Sequence, residues 1–135
     1  MGSSSYKLLF TVMVVMTSVV LRSPMAASVM ADITIYNQLV LGQTLRAHCW
    51  SNNTDFEEQE IEAEDYWDFT FGLDYRRRTR FDCTFKWDDV VHSYPIYIQT
   101  RDFCKNFKCT WAILDDGPCL LQLNKEDSRI CYRWS

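Results

Sequence analysis

The sequence predicts an all-β fold, a small antiparallel β-sandwich of seven to nine short strands stapled by disulfides. Three observations point there. Apolar residues recur with period two in one segment after another, the spacing that turns one face of a strand into a core. Turn-forming clusters separate these segments into seven to nine short strands within about a hundred residues. Six cysteines, an even set, are spread among them in a chain whose first residues read as an export signal.

Residues 1–31 stand apart from that core. Lys7 precedes an apolar run from Leu8 to Leu21, followed by Arg22, Pro24 and small residues ending at Val29-Met30-Ala31, the small-x-small pattern read by signal peptidase. The run is shorter than the roughly 20 residues that cross a bilayer as a helix. A secretory signal peptide over 1–31 is therefore expected, with cleavage after Ala31 and Ser28 as the second candidate. The domain is then 32–135. Processing removes Lys7 and Arg22 and no acid, leaving 12 basic against 18 acidic residues, a net charge of −6.

In that domain Ile33 and Ile35 alternate first, then Leu45, Ala47 and Cys49. Residues 56–65 are rich in helix formers, but Ile61 is the sole large aliphatic among them. No apolar stripe forms, so a polar loop with a short strand around Glu58 to Glu62 is expected. Trp67, Phe69 and Phe71 alternate up to Gly72, and Phe81, Cys83, Phe85 and Trp87 share a face against Arg80, Asp82, Thr84 and Lys86. The two read as hairpin partners. Tyr94 to Gln99 contains Pro95, which donates no ladder hydrogen bond and so belongs on a sheet edge or at a strand start. Cys109, Trp111 and Ile113 alternate next, and Asp115-Asp116-Gly117-Pro118 turns the chain into a strand from Cys119 to Leu123. Ile130 to Trp134 closes the sequence.

Cys49, Cys83, Cys104, Cys109, Cys119 and Cys131 allow 15 connectivities as three disulfides. Strand phase favours Cys49 with Cys109 and Cys83 with Cys104, and Cys119 with Cys131 would clip the C-terminal hairpin about a turn at 123–127. The spacings are unlike those of structural zinc sites, so no metal and no cofactor is expected. Asn52-Asn53-Thr54 is the one glycosylation sequon, which makes Asn52 a candidate glycan site.

At this point the residues resemble the plant self-incompatibility S-protein homologue family. The matching pieces are Ile33-Thr34-Ile35-Tyr36-Asn37, Leu45-Arg46-Ala47-His48-Cys49-Trp50-Ser51, Tyr66-Trp67-Asp68-Phe69-Thr70-Phe71, Phe81-Asp82-Cys83-Thr84-Phe85-Lys86-Trp87 and the stretch from Cys109 through Trp111 to Asp116 and Gly117. They occur in the family's order along nearly the whole mature chain. The resemblance implies a secreted β-sandwich with a four-cysteine framework, here Cys49, Cys83, Cys104 and Cys109. It also implies kinship with the stigma ligands that a pollen membrane receptor reads in poppy. Cys119 and Cys131 are additional to that framework, and Tyr75-Arg76-Arg77-Arg78 replaces an uncharged turn.

The function classes narrow accordingly. A net acidic chain disfavours nucleic acid as partner. No phosphate loop or nucleophile elbow occurs, and an even cysteine count leaves no spare thiolate. The sharpest enzymatic alternative is a secreted ribonuclease using His48 with His92, the two histidines, as base and acid. A carbohydrate-binding or defence effector using Trp50 is a second alternative, since Trp67, Trp87 and Trp111 share the phase of core residues. The favoured reading is a non-enzymatic, monomeric extracellular ligand for a membrane receptor ectodomain on another cell, with no membrane insertion. Eight acids between Asp55 and Asp68 are followed by Arg76, Arg77, Arg78 and Arg80, a separation that can steer encounter. Loops Asp74 to Arg78, Asp88 to Ser93 and Arg101 to Lys108 would present the contacts, with Arg76, Arg77, Arg78, Arg101 and Asp102 as receptor-binding candidates.

Overall fold

Alternation of buried and less buried side chains builds four of the nine described strands. The computed structural model describes residues 29–122 and 128–135; most of the expected signal peptide, through residue 28, and the expected turn at 123–127 lie outside the described residues. Among them are nine strands: β1 (Met30–Asn37), β2 (Leu45–Trp50), β3 (Asp55–Ile61), β4 (Tyr66–Gly72), β5 (Arg80–Trp87), β6 (Val90–Ile98), β7 (Lys108–Leu114), β8 (Gly117–Leu121) and β9 (Arg129–Cys131), with one 3-10 turn at Lys105–Phe107. They form two layers, ordered β4-β1-β7-β8-β9 and β3-β2-β5-β6. Pairing is antiparallel except between β1 and β7, which run parallel.

β5 shows the cause most plainly: Phe81, Cys83, Phe85 and Trp87 are all buried, while the residues between them are not. Ile33 and Ile35 of β1, Leu45 and Ala47 of β2 and Trp111 and Ile113 of β7 complete the core between the layers. Asn37 is the exception in polarity. Its amide nitrogen donates to the carbonyls of Gln43 (2.7 Å) and Ile61 (2.9 Å), and its oxygen accepts from the Leu39 N–H (3.1 Å), so its burial leaves nothing unsatisfied. Pro95 lies in the edge strand β6, where the register with β5 shifts between Phe81 and Cys83. That shift lets the consecutive Ile96 and Tyr97 both be buried.

Four expectations are corrected. β4 is not the hairpin partner of β5: it pairs with β1 in the other layer, and its Phe69 and Phe71 pack with tilted rings on Phe81 across the sandwich, at 5.4 and 4.5 Å between ring centres. The segment expected as a polar loop with a short strand around 58–62 is instead strand over Asp55–Ile61, paired along β2. His92 belongs to β6 rather than to a turn. The disulfides join Cys49 to Cys83 and Cys104 to Cys109, and not Cys49 to Cys109 or Cys83 to Cys104, while Cys119 does bond Cys131. Cys49 and Cys109 lie in different layers, whereas Cys49 and Cys83 are register partners on adjacent strands.

Met30 and Ala31, which the expected cleavage after Ala31 would remove, are the first two residues of β1. They stand opposite Gly72 and Phe71, and Ala31 is in the core. At the far end of the chain, the backbone of Tyr132 bonds Pro118 and that of Trp134 bonds Asp116. A side chain on Gly117 would run into the Tyr132 carbonyl.

Candidate functional site

Three connections meet at one end of the sandwich: β2–β3, β4–β5 and β6–β7. The last two are tied together through Gln99. Its backbone N–H donates to the Thr79 carbonyl (3.0 Å), its side-chain nitrogen donates to the Asp74 carbonyl (3.2 Å), and its side-chain oxygen accepts from the Thr79 N–H (3.3 Å). The two loops are therefore held as one surface. The turn at Asp88, by contrast, lies at the opposite end of β5. Of the three loops expected to carry recognition, the fold brings two together and separates the third.

Each arginine of the β4–β5 loop has a distinct situation. Arg78 donates to Asp74 at 2.7 Å, and that bond, joined by the Arg76 N–H, holds the Asp74 carboxyl below the usual carboxylate range. Arg76 lies 5.4 Å from the centre of the Tyr75 ring and donates to its hydroxyl. Arg77 has its backbone in the left-handed region at φ 58°, and its side chain has no partner among the described residues. Arg80 pairs with Asp82 at 3.0 Å.

Arg101 and Asp102 are placed differently. Asp102 is only 8% exposed; its carboxylate takes the Arg101 guanidinium at 2.7 Å and the Ile98 N–H at 2.8 Å. Arg101 also donates to the Pro95 carbonyl and lies over the rings of Tyr94 and Trp111. Burial pushes its guanidinium down, and the bond to Asp102 more than compensates, so the cation is secured. This pair braces the start of the β6–β7 loop from inside.

Behind the loops lies a pocket of about 300 Å³ lined by Leu73, Arg77, Tyr97, Phe103 and Phe107, with the Cys104–Cys109 disulfide in its wall. Phe103 is 82% exposed and Tyr75 85%. Asn106 and Phe107 both have positive φ, 55° and 58°, a conformation uncommon for an aromatic residue. Sequence reasoning missed Phe103 and Phe107; two phenylalanines in an otherwise polar connection were the available signal. A second groove, about 790 Å³, runs between the sequon turn and the arginine loop, lined by Trp50, Asn52, Asn53, Leu73, Arg78 and Arg80 among others. Asn52 is exposed on its rim.

The acidic stretch is partly answered by its neighbours on the outer face. Glu60 meets Arg46 at 3.6 Å, Glu58 meets Lys86 at 3.9 Å and Asp55 meets His48 at 2.6 Å. The Glu57 N–H, then His48, lowers the Asp55 carboxyl. His48 stands opposite Thr84 on this outer face, whereas His92 is the register partner of buried Phe85 and stacks on Trp134 at 4.7 Å. The two imidazoles occupy opposite faces of one sheet, so they do not converge on a common substrate. Trp87 and Trp111 are buried; Trp67 and Trp134 are half-buried against the core. Among the described residues no cluster of His, Cys, Asp or Glu is disposed to hold a metal ion, and no helix is long and apolar enough to cross a membrane.

Comparison with known proteins agrees with this architecture. S-protein homolog 2 of Arabidopsis thaliana is 32% identical over 108 residues, covering 76% of this chain and 67% of its own. S-protein homolog 20 of the same plant is 31% identical over 111 residues, with 81% and 79% covered. A solved structure described as an SPH (Self-Incompatibility Protein Homologue) protein, of "a widespread family of small, highly stable, secreted proteins from plants", superposes with a TM-score of 0.58 at 19% identity, over 80% of this chain and 96% of that one. Residues 32–134 match the family profile described as plant self-incompatibility protein S1, and with its two-layer strand fold and three disulfides the chain belongs to that family.

Proposed function

We propose that this protein is a secreted, non-catalytic ligand that docks on the ectodomain of a cell-surface receptor through the end formed by the β4–β5 and β6–β7 loops. The observation that carries this reading is the locking of two loops into one exposed surface rich in arginine and aromatic side chains. A rigid scaffold loses little entropy when it presents such a surface, and loops on a fixed scaffold are where recognition concentrates. Membership of a family named for self-incompatibility supports a role in communication between plant cells, and the description of its structural neighbour supports export.

Charge would set the encounter rate, because the arginines are segregated along the chain from the acids of residues 55–68 and the whole chain is net negative. The test is a variant with Arg76, Arg77 and Arg78 changed to Glu, kept oxidised and verified as folded. Binding to target plant cells should weaken at least about tenfold and lose its salt dependence. Unchanged binding with the same salt dependence removes the docking surface. A carbohydrate role has one observation in its favour, the place of Trp50 in the groove beside Asn52; cell-wall retention lost on Trp50→Ala would select it.

A further inference from the structure

The pocket between the two locked loops has a chemistry of its own. Its wall is mostly apolar, made by Leu73, Tyr97, Phe103 and Phe107. Its volume of about 300 Å³ is at the small end of ligand pockets, room for one anchoring side chain. We infer that it receives an apolar side chain carried on an acidic peptide segment of a protein partner, with Arg77 taking a flanking carboxylate. This inference rests on the reading that this end of the molecule docks, and it names what the surface fits.

Charge complementarity decides the sign of the partner. Arg77 lines the pocket without a side-chain partner, and the exposed Lys105 lies in the chain between the lining residues Cys104 and Phe107. The acids nearby are already engaged: Asp74 with Arg78, Asp82 with Arg80, and Asp102 with Arg101. Lys108 counts for less, because Asp32 is its register neighbour on β1. An incoming carboxylate therefore meets an uncompensated guanidinium, which can grip it through two parallel hydrogen bonds. An incoming cation would meet no unpaired acid in the pocket's lining, where Asp102 is held by Arg101. The aromatic wall explains the second requirement. Exposed Phe103 and half-exposed Phe107 lose their contact with water only when something apolar enters, and one buried anchor supplies much of the affinity of a small interface. The positive φ at Arg77, Asn106 and Phe107 concentrates costly backbone around this pocket, as occurs where a surface is shaped for a ligand.

The experiment uses the oxidised, isotopically labelled protein and three capped synthetic peptides. One has two glutamates on each side of a phenylalanine, the second replaces the phenylalanine with serine, and the third replaces the glutamates with lysines. The first should bind saturably, moving the amide resonances of Leu73, Arg77, Gln99 and Phe107, and at least about tenfold more tightly than the second. Arg77→Asn, a residue that tolerates the positive φ, should weaken the first peptide severalfold while leaving the fold intact, and Phe103→Ser should do the same. Equal affinity for the first two peptides, binding of the lysine peptide, or resonance changes elsewhere would overturn the inference. So would self-association of the free protein through these residues, which would make a second copy the occupant. If arginine reversal abolishes cell binding while the peptides are not discriminated, docking stands and the pocket inference falls. If the peptides are discriminated while cell binding is unaffected, the pocket binds such segments but docking falls.

Discussion

Asp102→Ala offers the most direct test of the assignment of Arg101 and Asp102 to the internal frame. The substitution strips the Ile98 N–H of its acceptor and leaves the Arg101 guanidinium with the Pro95 carbonyl alone. An orphaned buried N–H costs about 1–3 kcal/mol, and breaking a fully buried ion pair about 3–5 kcal/mol. The Arg101 side chain retains 29% of its exposure, so water recovers part of the second cost and the total is about 3 kcal/mol. For a domain of this size that lowers Tm by roughly 12–24 °C. The assay is reversible urea unfolding of the oxidised protein, followed by Trp fluorescence. Replacing both partners, Arg101→Met with Asp102→Ala, should recover part of the loss, because no charge is then left stranded. A loss below about 1 kcal/mol for Asp102→Ala, with cell binding abolished, would refute the reasoning and return Asp102 to the list of surface contacts.

The three cross-links should rank by the loops they close. With sequence separations of 34, 12 and 5, removal of Cys49–Cys83, Cys119–Cys131 or Cys104–Cys109 as alanine pairs should cost about 4, 3 and 2 kcal/mol. Peptide mapping of the unreduced protein reads the pairing itself. Expression through a secretory pathway should yield a chain beginning at Val29, the second of the two cleavage sites, because the Val29 carbonyl accepts from the Leu73 N–H and Ala31 fills the core; intact mass measurement distinguishes this from a start at Asp32. Burial, then the charge of Asp102, raises the Tyr97 phenol in the folded state. Its stabilisation is therefore complete below about pH 10 and is lost as pH rises through the higher folded value. The lowered Asp74 carboxyl acts in the opposite sense, contributing above the ordinary carboxylate pKa and failing as pH falls through its folded value. Arg78→Ala should bring that titration back up in a carboxyl-resolved NMR measurement.

What could be read in advance was whatever depends on neighbours along the chain. Alternation in Ile33–Ile35, Phe81–Trp87 and Cys109–Ile113 revealed the strands and their inward faces, because a pleated backbone reports burial every second residue. Pro95 marked an edge for an equally local reason, its missing N–H. For residues 56–65 the missing apolar stripe ruled out a helix and left a short strand around 58–62, but the extent of β3, Asp55–Ile61, is set by its cross-strand pairing with β2. Phase alone could place Cys49, Cys83 and Cys109 in the interior but could not say which layer each strand joins, and the pairing turned on that.

The candidate site divides along the same line. The run Arg76-Arg77-Arg78 was visible as charge, and so was its separation along the chain from the acids of residues 55–68. That Arg77 is free while Arg78 is bound, that Asp102 faces inward, and that Phe103 and Phe107 stand beside Leu73 all follow from β4 and β5 lying in opposite layers and from Gln99 joining their loop to the next one. Local sequence settles which way a side chain faces, because that follows from backbone geometry within a few residues. Which loops share an end of the molecule depends on the order in which distant strands pair, and only the folded chain decides that.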